Sequence, residues 1–219
     1  MPQGLVKRVA EREEKNKTAR GHYTYRQTVT LEEIDPRSGR GGLYREVRDI
    51  IFSPAGERAE KLLGSPANSL SRLRMTDEDF RDIREVQPFL LAPDQTWMYS
   101  IRFRGDDRMD GVDCWVLEVA PKQVFHGQRL FEGMFWVDKS DDSIVRSEGR
   151  AVPQILSTRS ENLFPRFTTL RQKIEGFSFP VHTQANDILP FSSGALRVRM
   201  SIRYEDYKRF ASDVKITFH

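Results

Sequence analysis

From His22 onward, apolar and polar residues alternate along the chain with a period of two. Tyr23, Tyr25, Gln27, Val29 and Leu31 interleave with Thr24, Arg26, Thr28 and Thr30, which predicts a strand with one face turned to a core. The cleanest case comes near the end, where Leu196, Val198, Met200, Ile202 and Tyr204 oppose Arg197, Arg199, Ser201 and Arg203. Such a segment has one dry face and one wet one. "LYREVRDIIFS", "TWMYSIRFRG", "VDCWVLEVAPK", "SIVRSEGRAVP", "RFTTLRQKIEG" and "FSFPVHTQANDIL" read as strands too. Between them, "DPRSGRGG", "DDRMDG" and "KSDD" supply turn chemistry: proline fixes φ, glycine permits positive φ, and aspartate bonds nearby backbone amides. The segment from Ser53 to Thr76 mixes turn residues with few apolar ones and predicts a further strand or an irregular crossing.

Two segments follow a helical period instead. Leu5, Val6, Val9 and Ala10 recur among Lys7, Arg8, Glu11 and Arg12, predicting an N-terminal amphipathic helix able to lie on a sheet. Thr76 can cap a mid-chain helix opening "DEDF", with acidic residues at its positive end and Phe80, Ile83 and Val86 on one side, before Pro88 ends it. The expected class is therefore mainly β (α+β), an antiparallel sheet of roughly nine to eleven strands, more than an open sheet holds without curling. Curling creates a concave side.

One strand departs from simple alternation. In "RLFEGMFWVD", Phe131, Gly133, Phe135 and Val137 share one face while Met134 and Trp136 occupy the other, so neither face is made for water. Trp97 and Trp115, each on a separate predicted strand, add to this aromatic load, as do Phe167, Phe177 and Phe179. These rings either fill the core beneath the helices or, in part, line a cavity left open by a sheet too curved for its helices to cover. On the second reading the cavity lining comprises Trp97, Trp115, Met134, Trp136, Phe80, Ile83 and Phe179.

Composition narrows the functional classes. The 219 residues are 38% hydrophobic and 31% charged, and no apolar run approaches the roughly 18 residues of a membrane-spanning helix. The 35 basic and 32 acidic residues are interspersed, whereas a nucleic-acid surface would cluster its cations, and "RGG" at Arg40 occurs once, in a turn. No nucleic-acid partner is expected. Cys114, the single cysteine, lies between apolar neighbours and reads as an inert core residue. The four histidines are far apart in sequence, without metal-ligand spacing, and the clusters around Asp106 and Asp138 read as hairpin turns, so neither metal nor cofactor is expected. His126 reads as a loop residue and His182 as a strand-surface one. A hydrolase would need carboxylates such as Asp113 or Glu118 to meet His182 in space, and a protein-binding module would use an exposed sheet edge.

The order of elements resembles the LolA/LolB-like family of lipoprotein carriers. "LVKRVAEREEK" leads into "HYTYRQTVTLEE", and Phe135, Trp136, Val137 and Asp138, followed by Ile144, Val145, Arg146 and Glu148, match the family's central hairpin. The resemblance implies a single domain over 1–219, an incomplete antiparallel β-barrel with the two helices covering its concave side, and a non-enzymatic, monomeric protein. It also implies a lipid or acylated protein as partner, with transient contact with a membrane or membrane proteins. The opening "MPQGLVKRVAEREEKNKTAR" has no apolar signal-peptide core, which fits either a cytoplasmic protein or one whose leader has been removed; the resemblance implies the second, with a location in the periplasm or cell envelope.

Overall fold

The computed structural model describes residues 1–53, 57–88, 91–125, 127–153, 155–156, 161–162, 165–191 and 194–210. The chain begins with α1 (Leu5–Arg20) and β1 (Tyr23–Ile34), then β2 (Gly41–Phe52), β3 (Arg58–Leu62) and β4 (Ala67–Asn68). A short α2 (Asp77–Arg81) runs into a wide π-type turn at Asp82–Val86 and, after Pro88, a 3-10 helix at Pro93–Met98. The remaining strands are β5 (Tyr99–Met109), β6 (Val112–Pro121), β7 (Leu130–Asp138), β8 (Ile144–Val152), β9 (Ile155–Leu156), β10 (Glu161–Asn162), β11 (Phe167–Ile174), β12 (Phe177–Phe191) and β13 (Gly194–Arg209). His126, read from the sequence as a loop residue, lies outside the described residues.

Eleven strands form one antiparallel sheet in the order β3-β2-β1-β13-β12-β11-β8-β7-β6-β5, with β4 also on β2; β9 and β10 pair separately. Among the described residues its end strands β3 and β5 are not paired with each other, so the expected incomplete barrel is what forms. The register explains why the alternating residues end up together. Val29 pairs with Ile202 and Leu31 with Met200, while Ala185 pairs with Met200 from the other side, so one parity of each strand builds one continuous buried face.

Both predicted helices cover that face. Leu5, Val9 and Ala10 of α1 and Ile83 and Val86 of the π-type turn join the same core cluster as Phe131 and Ile202. Thr76 caps α2 as expected: its hydroxyl accepts from the Asp79 amide while its own amide donates to the Asp79 carboxylate. Arg8 and Arg12 of α1 reach the β7–β8 turn, pairing with Asp142 at 2.9 Å and Asp141 at 3.2 Å. Beneath the same helix, Glu13 and Arg171 pair at 2.7 Å with both side chains completely excluded from water.

Two local expectations are corrected. "TWMYS" was expected to begin a strand, but Pro93 opens a 3-10 helix that runs to Met98 and carries Trp97. Proline pre-sets the helical φ, and the Thr96 hydroxyl donates to the Pro93 carbonyl. "DDRMDG" was expected to be a turn throughout, yet Asp106, Asp107 and Arg108 continue β5 past a bulge between Phe103 and Gly105. Only Asp110 and Gly111, with φ of 50° and 85°, make the turn between the paired Met109 and Val112. Two successive positive φ values are what a tight two-residue hairpin requires.

Candidate binding clefts along the helix seam

The two-faced strand β7 is covered on both sides by the protein itself. Inward, Phe131 stacks on Phe135 with ring centroids 5.2 Å apart and tilts against Phe167 at 6.0 Å. Gly133 and Gly149, paired across β7 and β8, form the floor for this ring: a Cβ on either would come within 2.7 Å and 2.6 Å of the Phe131 ring, and closer still to backbone. Outward, Trp136 packs with Cys114 and Val116, with Met134 against them. The Trp136 indole N–H donates to Asp107 at 2.8 Å and the Arg146 guanidinium lies 4.7 Å above its ring. Burial pushes the Cys114 thiol up to about 11, which suits the inert role expected of it.

The seven residues expected to line a cavity are therefore distributed over several environments. Trp115 faces inward on β6 and Phe80 and Ile83 pack into the main core, whereas Met134 and Trp136 point to the opposite side of the sheet. Phe179 belongs to a small cluster with Ala19 and Tyr23, edge-on to the Tyr23 ring at 5.1 Å. Trp97 is 67% exposed on the 3-10 helix. Because successive side chains on a strand point to opposite faces, Trp115 and Trp136 cannot border one inner cavity.

Among the described residues, open clefts lie along the flanks of α1, where this helix crosses the Pro93–Met98 segment. A cleft of about 700 Å³ has Thr18, Ala19, Tyr23, Pro93 and Phe177 among its walls, with Glu11 and Glu14 at its edge. A second, of about 430 Å³, continues past Glu11 and Pro93 toward Leu5, Val6 and Ala10. On the other flank a third, of about 370 Å³, lies between the last turn of α1, the π-type turn and the start of β7. None of the seven expected residues is among the walls of these three clefts. Ala19 and Pro93 carried no signal in the sequence and Phe177 stood only among the rings that fill the core or line a cavity; they come from three distant segments, and only the helix crossing assembles them.

The Tyr23 hydroxyl donates to Glu175 at 2.5 Å, and burial followed by that carboxylate pushes its pKa to about 12. It therefore stays a neutral donor in the cleft wall. The residues considered for hydrolysis do not assemble. His182 on β12 bonds Ser201, Glu118 on β6 pairs with Arg104 and Asp113 with Arg108, and β12 is four strand steps from β6, about 19 Å at the usual interstrand spacing. Among the described residues, no group of three or more His, Cys, Asp or Glu side chains is placed to hold a metal ion.

No family model matches the sequence, and no curated protein does. Solved structures with a similar chain course include a DUF1329 family protein from Desulfovibrio piger, with a TM-score of 0.48 and 13% identity over 98% of this chain and 94% of that one. A LolA superfamily protein from Nitrosomonas europaea gives 0.39 and 18%, covering 92% and 94%. An outer membrane lipoprotein-sorting protein domain from Vibrio parahaemolyticus gives 0.41 and 13%, covering 93% and 92%.

Proposed function

We propose that this chain is a non-catalytic binding protein of the cell envelope that takes the apolar part of a lipid or of a lipid-modified protein along the seam between α1 and the Pro93–Met98 segment. The observation that carries this reading is where the open space lies. The centre of the concave face is filled by Phe131, Phe135 and Phe167, while the clefts of about 700 and 430 Å³ share Glu11 and Pro93 and follow the helix. Volumes of this size fall in the range of roughly 300–1,000 Å³ typical of ligand sites. Each methylene moved from water into such a cleft contributes about 0.8 kcal/mol, so an acyl chain supplies its own driving force against the cost of ordering it. The match of Phe135–Asp138 and Ile144–Glu148 to the central hairpin of lipoprotein carriers supports the same reading, as does the separation of His182 from Asp113 and Glu118.

The test uses a fluorescent stearate and the exposed wall residue Thr18. Thr18→Trp fills the larger cleft without entering the core; it is expected to weaken stearate binding at least tenfold while leaving the unfolding midpoint unchanged. Organic extraction of the purified protein followed by mass spectrometry is expected to release lipid. Absence of extractable lipid, together with stearate binding indifferent to Thr18→Trp, overturns the reading.

A further inference from the structure

The third cleft differs from the other two in its charge. Lys17 and Arg20 enter it from the last turn of α1, Arg84 from the π-type turn and Arg129 from the residue before β7, against a single carboxylate, Glu85. Arg129 is already neutralised, because its guanidinium is held by the buried Asp82 carboxylate and the Pro153 carbonyl. Lys17 has only an exposed i,i+3 contact with Glu14 at 3.9 Å, which contributes little in water. Arg20 and Arg84 make no hydrogen bond or ion pair with any described residue. Both are half-buried. The α1 carbonyl ends favour Lys17 and Arg20 where they stand, but Arg84 comes from a different element and turns the same space positive without that benefit.

We infer that this cleft is a phosphate-binding site, independent of the apolar seam. The charge balance selects the ligand: Lys17, Arg20 and Arg84 against Glu85 leave a net charge of two, which a phosphate monoester with about −1.5 to −2 charge near neutral pH offsets. Two guanidiniums from different segments suit the tetrahedral oxyanion, since each can present paired N–H donors to two of its oxygens. Leu130 and Phe131 give the cleft an apolar floor, so the phosphate can belong to free phosphate or to the headgroup of an amphiphile whose first methylenes rest there.

Calorimetric titration of the full chain distinguishes these sources, using inorganic phosphate in one arm and monomeric dihexanoyl phosphatidate in the other, with chloride as the ionic control. Phosphate is expected to bind in both arms, with affinity falling as salt rises, and Arg84→Gln or Arg20→Gln is expected to weaken it about tenfold. Lys15→Gln, on the opposite flank of α1, leaves it unchanged. Equal affinity in the two arms assigns the site to free phosphate, and at least tenfold tighter phosphatidate assigns it to a headgroup. Either result supports the site. Thr18→Trp leaves phosphate binding intact, so failure of the seam reading and failure of this one are separable. Binding no stronger than chloride in both arms, or glutamine variants that fold normally and titrate like the parent, overturns the inference.

Discussion

The two covered regions of the concave face handle buried charge in opposite ways. Under α1, Glu13 and Arg171 form a pair entirely cut off from water, with the Asn16 amide as a further donor to Glu13. Under α2, charge is spread over a network: Arg48 holds Glu46 through two nitrogens and Glu60 through a third, the Tyr44 hydroxyl also donates to Glu46, and Arg48 keeps 25% of its side chain exposed above the Phe80 ring. A sealed pair carries the full desolvation cost of two ions and depends on one geometry, whereas a network reached by solvent shares that cost and has substitute partners. The α1 side thus rests on a sealed pair, whereas the α2 side adds a network reached by solvent to the buried Asp82–Arg129 pair.

The largest expected effect comes from breaking the sealed pair. Arg171→Leu leaves a buried carboxylate and is expected to destabilise the chain by about 3–5 kcal/mol in chemical denaturation, while Glu13→Met added to it recovers most of the loss, short of about 1 kcal/mol for the stranded Asn16 amide. Recovery absent in the double variant would mean that the pair specifies the docking of α1 beyond its charge. Next, Gly149→Val places a side chain into the backbone of β7 and the Phe131 ring, with an expected cost of about 3 kcal/mol. Unfolding midpoints of Gly149→Val and its parent measure how tightly the dry centre is closed.

The remaining effect concerns pH and belongs to the α2 side. Burial raises the Asp79 carboxyl to about 7, with Asp82 and Glu78 pushing the same way and the Thr76 amide and hydroxyl bonds pulling back. Folded Asp79 thus keeps its proton up to about pH 7, while the unfolded chain releases it near pH 4. Its contribution to stability is complete below about pH 4 and is lost as pH rises through about 7, with a slope of at most about 1.4 kcal/mol per pH unit. Asp79→Asn is expected to flatten that part of the profile; an identical pH dependence in parent and variant would show that Asp79 does not set it.

The elements were largely legible before the coordinates, because each rests on short-range rules. Alternation marked the parity of β1 and β13, Asp35 and Gly39 marked the first hairpin, and Thr76 marked the start of α2, all features set within a few residues. Trp97 was misread as a strand residue because an aromatic before an alternating run looks extended unless Pro93, four residues earlier, is given priority. The walls of the clefts along α1 were not legible. Large aromatics attract attention in a sequence, yet Phe131 covers Gly133 and Gly149 and Trp136 lies on the opposite face, while the clefts combine rings such as Tyr23 and Phe177 with small and charged residues from distant segments.

Sequence alone determined that this chain makes a many-stranded curled sheet with two helical covers, since period-two patterning and turn chemistry act locally and most of the long strands carry their own copy. What only the tertiary structure decided is where the covers leave space. That depends on how α1 crosses the Pro93–Met98 segment and on which of Lys17, Arg20, Arg84 and Arg129 find a carboxylate, and both are outcomes of contacts between segments far apart in the chain.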